Sequence, residues 1–308
     1  MINKSHCIVC GSNNIEALFK LRDYRLDDRI NIYHYDKCQN CGLIFQNPQI
    51  PLDTIIEHYN QNKIYNSSVS TKGINKFLNS FGLHKRASII LKKKKTGRLL
   101  DIGCGSGAFI NYLANKSQID VIGTEINHEY VNELTIKKGL DVRLGNLNEI
   151  GFSKDEFDII TMWDVIEHVI DPNKILIDVR KVLKSNGFLV IRVPNGDSLD
   201  FKLFGKYWAG LDAPRHYYVF TEESLQRLLK SNGFIIVSSS YHIGGYLNAI
   251  TSLEFFLNDL IIPLKIKEFV LKILRSPILQ VVFFPLHWLK AIFTKGTSIT
   301  ITARPSRN

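Results

Sequence analysis

With 308 residues, 45% of them hydrophobic and 22% charged, the chain can bury one large domain plus an appendage, which excludes a disordered tail. A formal net charge of +10 favours acidic partners, whether nucleic acid, nucleotide-linked substrates or anionic lipid, and does not choose among them. The opening MINKSHCIVC has no apolar run after its positive residues, and nowhere do 18 apolar residues follow one another, so the expectation is a cytoplasmic protein.

In chain order, the first signal is a pair of CxxC knuckles, Cys7/Cys10 and Cys38/Cys41, which use four of the five cysteines. Four thiolates at this spacing match a structural Zn2+ ribbon over residues 1–47, and the glycine after each second cysteine frees amides to hydrogen-bond sulfur. Disulfides are disfavoured by the missing signal peptide, and a redox CxxC needs no second pair. A site closed by four cysteines has no open coordination position, so the zinc is expected to be structural. The 27 residues between the pairs fit a short hairpin, with INIYHYDKC alternating like a strand.

Two prolines in NPQIPL set a boundary near Pro48, and residues 48–97 read as a helical linker region. Within it DTIIEHYN reads as a short capped helix and residues 61–73 as a polar loop. Residues 74–95 have apolar positions at mixed helical spacing and are expected to pack over the next domain. The lysine run at 92–95 reads as a solvated helix end rather than a phosphate contact.

From Arg98 the alternation is regular: strands RLLDIG, DVIGTEI, DVRLG, FDIITMW and FLVIRVPN, with helices AFINYLANK, HEYVNELTIKKG and PNKILIDVRKVLKSNG between them. Such alternation implies a parallel sheet with helices on both faces. A helix at TEESLQRLLKSNG follows, with Thr221 as N-cap and no capping box, then strand-like FIIVSSSY and TSITITAR.

The turn LLDIGCGSGAF carries the chemistry. Gly103, Gly105 and Gly107 let the backbone turn sharply and approach a ligand, and the helix that follows offers unpaired amides. Gly103, Gly105 and Ala108 also satisfy a dinucleotide fingerprint, with Glu125 at the spacing of a ribose-binding carboxylate, so the glycines alone leave NAD and S-adenosylmethionine open. Asp101 separates them, because a dinucleotide strand is apolar there whereas a cationic amino-acid moiety favours an anion. Cys104 reads as a small residue beside the ligand rather than a nucleophile.

With this loop, FDIITMWDVIEHVIDP, GFLVIRVPN and WAGLDAPRHYYVFT, the chain resembles the class I S-adenosylmethionine-dependent methyltransferases over residues 85–308. The resemblance implies an α/β, Rossmann-like sheet across 98–308, closed by a late antiparallel strand, with a helical insert before that strand. It implies cofactor contacts at Asp101, Gly103, Gly105, Gly107, Glu125 and Asp164, and an adenine contact at Asn146 and Leu147. Residues after FDIITMW lie where an acceptor approaches, so Trp163, Asp164, Glu167 and His168 are in range, His168 as the base with Glu167 beside it. His216 is the competing base, and Arg215 and Tyr217 are expected to touch substrate, Arg215 by holding a phosphate or carboxylate.

WAGLDAPRHYYVFT further resembles a segment of methyltransferases of surface-polysaccharide and deoxysugar pathways, among them sugar C-methyltransferases with a zinc ribbon. That implies a sugar acceptor, small or lipid-linked. An RNA methyltransferase and a non-catalytic cofactor- and zinc-binding module stand as alternatives. Nucleic acid is disfavoured because the ribbon is not strongly basic and lacks an aromatic platform. The insert, residues 242–296, is rich in Leu, Ile and Phe, and residues 244–308 hold eight Lys and Arg against three Asp and Glu. Its longest apolar stretch, 277–293, is interrupted by Gln280, Pro285, His287 and Lys290. A helical subdomain packed on protein and a peripheral contact with membrane both fit it. Oligomeric state is not legible.

Overall fold

A computed structural model of the chain describes residues 4–55, 73–242, 246–276, 279, 282 and 295–306. The reading of residues 61–73 as a loop therefore falls almost wholly outside the described residues, as does most of the apolar stretch 277–293. Only the turn at 52–55 is described of the helix expected over 53–60.

The chain opens with strands β1 (Ile15–Leu21), β2 (Tyr33–Cys38) and β3 (Ile44–Gln46). Then come helix α1 (Gly73–Leu91), β4 (Thr96–Ile102), α2 (Ala108–Ala114), β5 (Gln118–Glu125), α3 (His128–Asn132), β6 (Val142–Leu144) and α4 (Leu147–Ile150). β7 (Phe157–Trp163), α5 (Pro172–Val182), β8 (Leu183–Pro194), α6 (Leu199–Phe204), β9 (Tyr218–Val219) and α7 (Glu222–Ser231) follow. β10 (Phe234–His242), α8 (Tyr246–Asn258), α9 (Leu264–Leu274) and β11 (Ser298–Pro305) complete the order.

Two compact units divide these elements. The first takes its described residues from Met1–Asn66, Val193–Leu228 and Ser240–Thr300, and the second from Ser67–Arg192, Leu229–Ser239 and Ile301–Asn308.

In the first unit β1, β2 and β3 form an antiparallel meander, and β9 pairs antiparallel with β3 through Ile44↔Val219 and Phe45↔Tyr218. The ribbon read from the cysteines is therefore completed by a strand from the WAGLDAPRHYYVFT segment. Gln46 N–H donates to the Tyr217 carbonyl at 2.8 Å, and Tyr35 Oη donates to the His216 carbonyl at 2.7 Å. α7 starts from Thr221 as expected, and Ser224 stands where a capping box would have Glu or Gln. Ser224 N–H donates to Thr221 Oγ1, while Thr221 N–H donates to Ser224 Oγ at 2.9 Å.

The seven-stranded sheet has the order β10-β11-β8-β7-β4-β5-β6, with β6, β5, β4, β7 and β8 pairing in parallel. Every residue of β7 is buried, as an apolar run covered on both faces requires. Around this half of the sheet a core forms in which Ala87 and Ile90 of α1, Phe109 and Leu113 of α2 and Leu134 meet Leu99, Ile159 and Val190. α1 thus packs into the sheet's core through its described side chains. Lys94, in the run read as a solvated helix end, lies 2.5 Å from Asp158.

α5 begins as its sequence dictates: Asp171 Oδ1 accepts from the N–H groups of Asn173 and Lys174, and Pro172 occupies the first turn. It stops at Val182, five residues short of the expected helix 172–187, because Leu183 turns extended and pairs with Phe157 of β7. The helix expected after β5 is regular only to Asn132 and continues through a wider turn over Glu133–Lys137.

Candidate active site

The loop between β4 and α2 has left-handed backbone at its three glycines. At two of them a side chain would collide: a Cβ on Gly103 would meet Val165 at 2.9 Å, and one on Gly107 would meet Leu134 at 2.6 Å. Gly105 N–H donates to Glu125 Oε2 at 2.9 Å, and the other carboxylate oxygen accepts from the N–H groups of Ile126 and Asn127. Glu125 thus fastens the loop to the end of β5, where the sequence expected a ribose contact. Cys104 sits in the loop with its thiol pushed up by burial and by the nearby Asp101 and Glu125 carboxylates, so it stays protonated.

Asp101 is buried at the end of β4 and accepts from Thr161 Oγ1 at 2.5 Å. Burial pushes its carboxyl up to about 7 against the opposing Thr161 hydroxyl and Arg86, with Glu125 adding to the rise. A carboxyl in this position gains most from a cation placed against it.

At the carboxyl ends of β7 and β8 the second unit gathers an electrostatic cluster. Arg192 donates from Nε to Asp164 Oδ1 at 3.0 Å and from Nη2 to Oδ2, a two-pronged pair that holds Asp164 in left-handed backbone at φ +58°. Asp164 and Glu167 outweigh burial and keep Arg192 above its ordinary range. Arg86 reaches in from α1, with its guanidinium carbon 5.3 Å from the centre of the Trp163 ring and its nearest nitrogen 3.9 Å from Asp164. Burial and Arg192 lower Arg86 to about 10, against Asp164 and Asp101. Asp164 thus acts on both guanidinium groups, Glu167 acts on Arg192, and Asp101 acts on Arg86. Sequence reading passed over both arginines. Arg86 stands in a helix whose pattern advertised only apolar positions, and Arg192 is an isolated cation in an apolar strand. Trp163, edge-on to Phe109 at 5.3 Å, has a buried indole N–H with no acceptor among the described residues.

Glu167 and His168 lie on a single helical turn after β7, Glu167 fully buried and His168 half-buried. Asn146 is exposed ahead of α4, where its N–H donates to Glu149 at 2.8 Å, and the Leu147 side chain turns into the protein.

In the first unit, the residues read as substrate contacts are committed to the fold. Arg215 has no solvent exposure: its Nη1 and Nη2 donate to Asp23 at 2.6 and 3.0 Å, and its Nε and Nη2 donate to Asp212 at 3.1 and 2.9 Å. Arg25 adds a second cation on Asp212 at 2.5 Å, and although burial opposes it, the arginines hold that carboxyl well below its ordinary range. Tyr217 is buried and donates to the Ile50 carbonyl at 3.0 Å. Both side chains are buried and bonded within the first unit. His216 Nδ1–H donates to the Gly210 carbonyl at 2.9 Å, which leaves Nε2 as the lone-pair nitrogen of the neutral ring.

The sulfurs of Cys7, Cys10, Cys38 and Cys41 lie within 4.8 Å of one another, with Cys7–Cys41 and Cys10–Cys38 both at 3.6 Å, and none is disulfide-bonded. A Zn–S bond of ~2.3 Å puts tetrahedral sulfurs about 3.8 Å apart, so the set fits zinc. Gly11 and Gly42 close the two knuckles by donating to the carbonyls of Cys7 and Cys38 at 2.8 and 2.9 Å.

Among curated proteins, the chain is 31% identical over 109 residues to an uncharacterized methyltransferase of Schizosaccharomyces pombe, covering 31% of this chain and 39% of that one. It is 27% identical over 120 residues to a ubiquinone biosynthesis O-methyltransferase of Azorhizobium caulinodans, covering 37% and 46%. The chain spans about half the length of the curated relatives it matches. Its fold is similar to a SAM-dependent methyltransferase from Archaeoglobus fulgidus, with TM-score 0.51 and 17% identity over 80% of this chain and 99% of that one. Residues 75–239, from α1 through most of β10, match the family model described as a methyltransferase domain, and the chain belongs to that family.

Proposed function

We propose that the protein transfers the methyl group of S-adenosylmethionine to a sugar or polysaccharide precursor. The observation that carries methyl transfer is the buried Asp101, held by Thr161 at the end of β4 where the three left-handed glycines begin, with Arg86 near enough to act on it electrostatically. An α-amino acid end presents both an ammonium and a carboxylate, and these two side chains complement it charge for charge. Pyrophosphate would meet Asp101 and Glu125 with like charge, so the donor set fits a cationic nucleoside better than a dinucleotide.

When bound, S-adenosylmethionine supplies an electrophilic methyl carbon on a sulfonium. Asp101 neutralises the ammonium, Arg86 the carboxylate, and the glycine loop brings backbone close to the nucleoside. Arg192 keeps Asp164 from turning away, so the negative charge there stays fixed. His168, at the carboxyl end of β7, takes the acceptor's proton and raises its nucleophilicity. The sugar acceptor is supported by the resemblance of residues 208–221, joined to a ribbon, to polysaccharide-pathway methyltransferases. That support is of sequence pattern, since Arg215 and Tyr217 serve the fold.

The test is mass spectrometry of the purified chain incubated with S-adenosylmethionine and a panel of nucleotide sugars and lipid-linked sugars. A one-methyl gain on a sugar is expected. Transfer to RNA and to no sugar overturns the acceptor class, and preference for NADH over S-adenosylhomocysteine in a competition assay overturns the donor.

A further inference from the structure

The segment between β10 and β11 carries an exposed apolar surface. α9 turns Leu271 inward at 7% exposure, yet leaves Ile266, Phe269, Val270 and Ile273 at 54%, 64%, 37% and 45%. These four stand at i, i+3, i+4 and i+7, which at about 100° per residue makes one continuous stripe along the outside of the helix. The same geometry puts Lys265 and Lys272 on one flank of the stripe and Lys267 on the other, and Glu268 is the sole acid in the helix. The loop leading into α9 adds Ile261, which is wholly exposed, and Leu260 at 40%.

This surface is held in place from behind. Phe255 of α8 stacks on Tyr24 with ring centres 5.5 Å apart, and Ser252 Oγ accepts from Ala209 N–H at 2.9 Å. Asp259, at the start of the exposed loop, accepts from Arg22 Nη2 at 3.0 Å and Tyr24 Oη at 3.2 Å. Arg275 pairs with Glu254, tying the end of α9 back to α8.

We propose that α9 and its leading loop form an interfacial anchor for an anionic lipid surface, with the Ile266–Phe269–Val270–Ile273 stripe entering the headgroup boundary and the flanking lysines meeting phosphates. The charge pattern selects this occupant. Two copies of the stripe laid face to face would bring lysine flanks against lysine flanks, and four side chains fall far short of the roughly 800 Å2 per partner that a stable protein interface buries. Crossing a membrane is a different matter: α9 has 11 residues where about 20 are needed, and no described helix is long and apolar enough to span. An apolar stripe rimmed by lysines, on a helix too short to span, is the pattern of a helix lying in the interface plane. The anchor does not depend on which acceptor is methylated.

The experiment is co-sedimentation of the full chain with vesicles of phosphatidylcholine alone and of phosphatidylcholine mixed with phosphatidylglycerol. The chain is expected to pellet with the mixed vesicles and to be released as salt is raised. Phe269→Asp, and separately the pair Lys265→Glu with Lys272→Glu, should each lower the partition coefficient about tenfold, with unchanged circular dichroism because all three positions are exposed. Should Phe269→Asp fail to fold, Phe269→Ser combined with Ile266→Ser decides instead. A chain that stays in the supernatant with both vesicles overturns the proposal, as does Phe269→Asp binding like the parent. Concentration-dependent dimers that Phe269→Asp dissociates, without vesicle binding, assign the stripe to a second copy and also overturn it.

Discussion

In the role proposed for it, Asp101 sets stability against binding within one carboxyl group. Its ordinary value is near 3.8 and the fold raises it to about 7, so between those values the folded chain holds a proton that the unfolded chain has lost. Ligand-free stability from this group therefore falls as pH rises from about 4 to 7 and stays low above that. Asp101→Asn removes the penalty, and at pH 8 it should raise the ligand-free Tm by about 5 °C while abolishing measurable binding of S-adenosylhomocysteine. In the parent, calorimetric affinity for that ligand should strengthen as pH rises through 7. Unaltered Tm and affinity in the variant would remove Asp101 from the site. Arg86 has its own signature. Arg86→Met should weaken S-adenosylhomocysteine about tenfold or more and leave 5′-methylthioadenosine, which lacks the amino-acid end, unaffected. Equal losses for both ligands would make Arg86 a general support of α1. For the base, His168→Ala should lower kcat with cofactor affinity unchanged. Turnover kept by that variant and lost by His216→Ala would pass the role to His216, whose Nε2 is set up for it by the Gly210 carbonyl.

At the scale of elements, the segment at 208–221 is where local reading and folded structure part. The β/α alternation from β4 to β8 was legible because a strand covered on both faces must be apolar along its length, as FDIITMW is, and because Asp171 with Pro172 writes a helix start into four residues. The turn of the glycine loop was legible because the left-handed backbone at Gly103, Gly105 and Gly107 is a local demand on residue type. The buried pairing of Arg215 was not legible because its main partner, Asp23, is 192 residues away, and nothing local distinguishes an arginine reserved for a buried carboxylate from one waiting for a ligand. The short strand Tyr218–Val219 was equally hidden: its pairing with β3 is a property of topology. The structural role predicts that Arg215→Met destabilises by about 3–5 kcal/mol in urea titration, because Asp23 and Asp212 are left buried with one cation fewer. A stable Arg215→Met protein that has lost acceptor affinity would return the residue to substrate binding. Arg86 was hidden for another reason. Its position comes from where the helix docks, against the core at Ala87 and Ile90, and helical spacing reports only that α1 has an apolar face.

For the molecule as a whole, the glycine loop and the four cysteines belong to different compact units, and each additive is expected to act on its own unit. Saturating S-adenosylhomocysteine at 100 Kd should stabilise the unit carrying the glycine loop by about 2.7 kcal/mol, whereas a chelator should lower the transition of the unit carrying the four cysteines. Differential scanning calorimetry with each additive in turn checks this, and a single peak moved equally by both would show one cooperative block. Cys38→Ser should reduce bound zinc, measured by elemental analysis, in parallel with the chelator's effect.

The donation of β9 to the ribbon sheet has a consequence for how the chain is made. Ile44 and Phe45 are synthesised long before the Tyr218–Val219 strand that covers their edge. A nascent chain leaving the ribosome therefore carries an unfinished N-terminal module until some 170 further residues have emerged. Early capture of metal by the two knuckles would hold that module together during the wait.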